Sequence, residues 1–185
     1  MSRLILVRHG APAIDPATPS ADWPLSDEGR VAAAALAARL APFGSAVLIS
    51  GTEPKMIGTA AAIGGRLGLV NQPIAGLSEH ARRSTTFGDQ AAFEASIQAL
   101  FNQPTEIVYG DESADQTHDR IAQSIDDALK AAGGASVIAV SGGTAISIYM
   151  ARRLGIEPFP FWKTLRLPQA FVLSVAPWRL EATIS

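Results

Sequence analysis

The chain has 185 residues, of which 48% are hydrophobic, with 15 basic and 17 acidic side chains, three histidines, no cysteine and a formal charge of −2. That balance excludes a nucleic-acid surface or a polybasic membrane surface, so any anion site must be local. Disulfides, thiolate nucleophiles and sulfur-based zinc sites are excluded as well, and His9, His80 and His118 have no zinc-binding spacing.

The composition and length read as one globular domain over residues 1–185. No signal-peptide pattern or apolar run of membrane length occurs, so a cytoplasmic protein is the expectation.

In chain order, Leu4-Ile5-Leu6-Val7 is a short buried strand running straight into Arg8-His9-Gly10. Residues 11–24 read as a loop over the strand end. Ser26-Asp27-Glu28-Gly29 opens a helix, with Ser26 as cap and two acids at its positive end; Pro42-Phe43-Gly44 stops it. Ala46–Ile49 is a second buried strand, and Glu53-Pro54 starts a helix that fades at Gly64-Gly65 or Gly68. A brief strand is predicted near Pro73–Ala75, before Leu77-Ser78-Glu79-His80.

Residues 81–88 read as a polar loop, Gln90–Asn102 as a helix, and 104–110 as a loop. A further helix follows Asp111-Glu112-Ser113 and runs to about Ala132. Ser136–Val140 is the most buried-looking strand, leading through Ser141-Gly142-Gly143-Thr144 into an apolar helix, Ala145–Leu154. Phe171–Val175 and Arg179–Ile184 close the chain as two strands around Ala176-Pro177-Trp178. Strands and helices alternate, which predicts a three-layer α/β/α sandwich on a largely parallel central sheet.

In such sheets ligands sit beyond the carboxyl ends of the strands. Those ends carry Arg8-His9-Gly10, Ser50 with Lys55 a turn into the next helix, Glu79, and Ser141-Gly142-Gly143. Arg8 offers a planar donor fork suited to phosphate or carboxylate. His9 can be nucleophile or proton carrier. Gly10 suits a sharp turn or a close approach to a ligand. The helix start after Gly142 would point N–H groups at the same place, as in phosphate sites.

Taken together, these segments resemble the histidine phosphatase superfamily, with its phosphoglycerate mutase-like fold. Leu6-Val7-Arg8-His9-Gly10 is similar to the family's opening signature. Pro24–Arg30 resembles its "P-L-T-x-x-G" helix start, and Thr59-Ala60 its "T-A". Leu77-Ser78-Glu79 resembles "L-x-E", Gly110–Ser113 with Arg120 resembles "G-x-E-S…R", and Val140–Thr144 resembles "S-H-G-G-T".

The resemblance implies that His9 attacks a phosphoryl group to form a phosphohistidine while Arg8 holds the phosphate. It implies that Glu79 donates a proton to the leaving oxygen and then activates water, with no metal or other cofactor. Lys55, Ser141 and Gly142 complete the implied phosphate-binding set.

Two positions depart from the pattern. Lys55 stands where a second arginine is expected, and Ser141 where a second histidine is expected. Lysine keeps charge but loses the bidentate fork. Serine keeps one uncharged donor, and removing a comparable donor at a transition state costs roughly 10²–10³ in rate.

The implied function is a phosphate monoester hydrolase of reduced efficiency. The alternative is an inactive relative that binds a phosphorylated ligand or partner. The substrate would be a small phosphorylated molecule or a phosphoprotein, and the compact length speaks against a mutase. Arg82-Arg83 reads first as a solvated pair and second as a reader of another anionic group on the substrate, His80 and His118 as structural or exposed, and Phe159-Pro160-Phe161-Trp162 as packing or a partner surface.

Overall fold

The computed structural model describes residues 2–85 and 88–185. Thr86 and Phe87, in the stretch expected to be a loop, lie outside the described residues.

Six strands form one sheet: β1 (Arg3–Arg8), β2 (Ser45–Ser50), β3 (Asn71–Pro73), β4 (Ser136–Ser141), β5 (Gln169–Val175) and β6 (Trp178–Ile184). Their order is β3-β2-β4-β1-β5-β6. β3, β2, β4 and β1 are mutually parallel, whereas β5 runs antiparallel to β1 and pairs with β6 as a hairpin. The helices are α1 (Asp27–Leu40), α2 (Pro54–Leu67), α3 (Gln90–Asn102), α4 (Ala114–Ala131), α5 (Gly143–Leu154) and α6 (Pro158–Lys163).

The continuous apolar strands follow from burial on both faces. Because side chains alternate along a strand, Leu4 and Leu6 of β1 join Val137 and Ala139 of β4 on one face. There Ile121 and Ile125 of α4 and Ile146, Tyr149 and Met150 of α5 cover them. Ile5, Val7, Ile138 and Val140 face the other way, under Leu36, Ala37 and Leu40 of α1 and Met56, Ala60 and Ile63 of α2. The expected α/β/α sandwich is therefore present.

Helix ends follow their local chemistry. Ser26 accepts from the Gly29 N–H at the start of α1. Ser113 and Gln116 form a reciprocal capping box on α4. Gly68 ends α2 and Gly155 ends α5, both in the left-handed conformation.

Two element assignments need correction. β3 lies at Asn71–Pro73 rather than Pro73–Ala75, because Ala75–Leu77 winds into a 3-10 turn as soon as Ile74 N–H has bonded Ser50 O at 2.7 Å. The sequence reading also missed α6, which begins with Pro158 in its first turn and is only six residues long.

Candidate active site

The parallel register brings the strand ends to one edge. Arg8 lies opposite Ser141, and Ser50 opposite Val140. A cavity of about 440 Å³ opens there, and Arg8, His9, Lys55, Glu79, Arg82 and Thr144 are among its lining residues. Residues 8, 9, 55 and 79, remote in sequence, thus meet at the predicted edge.

His9 is buried, and its Nδ1 lies 2.7 Å from the Gly10 carbonyl. A carbonyl only accepts, so Nδ1 carries the proton and Nε2 keeps its lone pair. Burial, reinforced by the Lys55 and Arg8 cations, pushes the imidazole down to about 3 against the opposing pull of Gly10 O and Glu79. The ring is neutral at physiological pH with its tautomer fixed.

Gly10 has a packing reason of its own. A Cβ there would come within 2.8 Å of Gly29 O and 2.9 Å of Leu25 Cδ1. The residue lets β1 run tight against the start of α1. Its N–H donates to Thr59 Oγ1 at 2.9 Å, and that hydroxyl donates to Lys55 O at 2.7 Å. The Thr59 position of the "T-A" pair therefore ties the His9 turn to α2.

Three cations face the cavity in different states. Arg8 Nη1 donates to Leu165 O at 2.9 Å, while its Nε is buried with no partner among the described residues. Gly143 makes room for that guanidinium, since a Cβ there would lie 2.9 Å from Arg8 Nε. Lys55 is buried, donates to Ser20 O at 2.6 Å and pairs with Glu53. Glu53 is a counter-charge that the sequence reading missed.

Arg82, expected to be solvated or to read a second anionic group, lines the cavity. Its guanidinium lies 5.5 Å from the Phe93 ring centroid, and its Nη1 is buried with no partner among the described residues. Arg83, by contrast, is exposed and pairs bidentately with Asp22 at 2.8–2.9 Å. The pair of arginines splits into one cavity residue and one surface residue. A buried guanidinium N–H without an acceptor is costly. Arg8 and Arg82, which both line the cavity, each hold one such N–H.

Glu79 occupies the start of α5. Its carboxylate accepts from Thr144 N at 3.1 Å, Ala145 N at 2.8 Å and its neighbour His80 N at 2.9 Å. Burial by itself would raise the carboxyl, but Arg82 and the N–H donors of Ala145, His80 and Thr144 outweigh it and hold it at about 2. The N–H groups of Thr144 and Ala145 at that helix start are bonded to the Glu79 carboxylate.

Ser141 and Gly142 also differ from expectation. Ser141 is fully buried and its hydroxyl donates to Leu77 O at 2.6 Å, so the serine turns away from the cavity and secures the chain just before Glu79. The bare side of Gly142 faces the site instead: a Cβ there would come within 2.4 Å of the Glu79 carboxyl carbon. The Glu79 carboxylate fills the space that a side chain at 142 would enter.

The "G-x-E-S…R" segment anchors this arrangement. Arg120 pairs with both Glu112 oxygens, at 3.0 Å from Nε and 2.5 Å from Nη2. It also donates to the carbonyls of Gly76, Ser78 and Glu79 at 2.8–2.9 Å. Glu112 accepts from Ala81 N at 2.8 Å. Gly110 permits this approach: its φ is +76°, and a Cβ would meet Ala81 O at 2.4 Å.

A model of the histidine phosphatase superfamily, branch 1, matches residues 4–179. No curated protein matches the sequence. Among solved structures, mycobacterial glucosyl-3-phosphoglycerate phosphatase is 22% identical, with 98% of each chain covered and a TM-score of 0.75. YhfR of Bacillus stearothermophilus is 16% identical, covering 98% of this chain and 96% of its own, with a TM-score of 0.79. Phosphoserine phosphatase from Entamoeba histolytica is 19% identical over 100% of this chain and 98% of its own, with a TM-score of 0.75. At these identities the structural likeness speaks for the fold.

Proposed function

This chain belongs to branch 1 of the histidine phosphatase superfamily, and from that premise we propose that it hydrolyses a phosphate monoester through a phosphohistidine on His9. One observation carries the reading: a neutral imidazole, with Nδ1–H bound to Gly10 O, lines a cavity that the guanidinium residues Arg8 and Arg82 also line. Phosphoryl transfer needs positioning and charge neutralisation above all. In the proposed step His9 Nε2 attacks phosphorus, the P–O bond to the leaving group breaks, and the guanidinium donors neutralise the equatorial oxygens.

Water then attacks the phosphorus, the P–Nε2 bond breaks to return the neutral imidazole and release inorganic phosphate, and the Glu79 carboxylate takes the water's proton. Nδ1–H stays on Gly10 O throughout and spreads the developing imidazolium charge.

The second reading, a binder with little turnover, is favoured by the state of Lys55, whose charge Glu53 already balances, and by the occupied start of α5. Hydrolysis of phenyl phosphate separates the two. Phosphatase activity in the wild type, lowered at least about 10³-fold in His9→Ala, supports the first. An inactive wild type that binds inorganic phosphate supports the second.

A further inference from the structure

The cavity has one wall that phosphate recognition does not need. Phe93 on α3 lies edge-on to Trp162 on α6, with centroids 5.6 Å apart and planes at 65°. Phe93 is also edge-on to Tyr109, at 6.1 Å and 63°. All three rings line the cavity that holds His9 and Arg8. Arg82 covers Phe93 and faces the same space. A phosphate group alone would leave this aromatic wall unused, whereas a ring attached to the phosphate would meet faces and edges of the kind aromatic pairs favour.

A second feature points the same way. The Glu79 carboxylate accepts from three backbone N–H groups, the His9 ring proton lies on Gly10 O, and the Lys55 ammonium contacts Glu53 and Ser20. An ester whose leaving group needs little help from a proton donor suits such a site. A phenolate, whose conjugate acid has a pKa near that of tyrosine, about 10, leaves far more readily than an alkoxide.

We propose, resting on the phosphatase reading above, that the substrate class is the phosphate monoester of an aromatic hydroxyl. Its ring packs against Phe93, Tyr109 and Trp162, and its phosphate lies between His9, Arg8 and Arg82. The step balances without an acid: His9 Nε2 gains the phosphoryl group, the aryl oxygen keeps the bonding electron pair and leaves as aryl oxide, and solvent protonates it outside the cavity. Water then releases inorganic phosphate from His9 and yields one proton to Glu79.

Aryl esters are intrinsically reactive, so the decisive test measures binding of unreactive analogues. Affinities of benzylphosphonate and methylphosphonate for the wild-type protein, by calorimetry, should differ by about tenfold or more in favour of the aryl compound. Phe93→Leu and Trp162→Leu, which keep apolar volume and remove a ring, should each shrink that ratio by about threefold or more, with circular dichroism confirming the fold.

Equal affinities, with phenyl phosphate still hydrolysed through His9, would overturn the substrate class alone. Failure to bind either phosphonate together with no hydrolysis would overturn the phosphatase reading and this inference with it. Phosphoserine turned over with a kcat/KM equal to that of phenyl phosphate would also count against it. Comparing free phosphotyrosine with a phosphotyrosyl peptide shows whether the aryl phosphate is free or chain-borne.

Discussion

At the scale of single residues, the chemistry depends on environments that sequence spacing conveys only in part. Arg8, His9, Lys55 and Glu79 were legible because each stands at a strand end or the following helix turn, and parallel strands bring such positions together. The partners that set their charge states were not. Glu53 and Arg82 carry no motif of their own; each lies two or three residues from its partner, but the sequence does not say that one pairs with Lys55 and the other faces Glu79.

A pH prediction belongs here. The His9 imidazole is held at about 3 against an ordinary 6.5, and the Glu79 carboxyl at about 2 against 4.5. As pH falls from 6.5 toward 3, the unfolded chain takes up a proton on His9 that the folded chain refuses. As it falls from 4.5 toward 2, the unfolded chain does the same at Glu79. Both effects remove stability on the acid side and leave it complete above 6.5. Guanidinium denaturation midpoints should therefore drop steadily from pH 7 to pH 4. An NMR titration of His9 should show a neutral ring from pH 8 to pH 5, and a ring titrating near 6.5 would contradict the described burial.

At the scale of elements, most helices and strands followed from turn chemistry and apolar runs. What sequence could not reveal was why the glycines stand where they do. Leu25 lies against three of them: a Cβ at Gly10, Gly29 or Gly58 would come within 2.8–3.0 Å of its side chain. Helix propensity alone makes Gly29→Ala stabilising by about 1 kcal/mol. Yet the new Cβ would sit 2.3 Å from Ala11 O, a backbone atom with little room to yield. Sterics should win, with a net loss of about 1–3 kcal/mol in chemical denaturation.

The anchoring network gives a second test. Arg120→Met leaves Glu112 without its bidentate partner and frees the carbonyls of Gly76, Ser78 and Glu79. Stability should fall by about 2–4 kcal/mol, and kcat should fall with it because Glu79 loses its fixed backbone. Arg120→Lys should recover charge without recovering the fork, and hence only part of kcat. Full recovery by lysine would show that charge alone matters there.

At the scale of the whole molecule, the sheet separates support from chemistry. Its two faces are sealed by α1 and α2 on one side and α4 and α5 on the other, leaving the carboxyl edge of β1, β2 and β4 as the meeting point of charged groups. The alternation of strands and helices made that architecture readable. The cavity's aromatic wall was not readable, because α3, α6 and residue 109 come from segments with no common pattern, and their rings meet only through tertiary packing. Phe159–Trp162, read from sequence as packing or a partner surface, turns out to supply Trp162 to the cavity.

Everything functional in this account rests on His9 as the atom that takes up phosphorus. The most direct measurement mixes the protein with phenyl phosphate, quenches within the first turnovers, and maps the adduct by mass spectrometry under conditions that preserve phosphohistidine. A phosphoryl group on His9, absent from His9→Ala, is the predicted result. Turnover with the phosphoryl group on another residue, or with no covalent adduct at all, would contradict it.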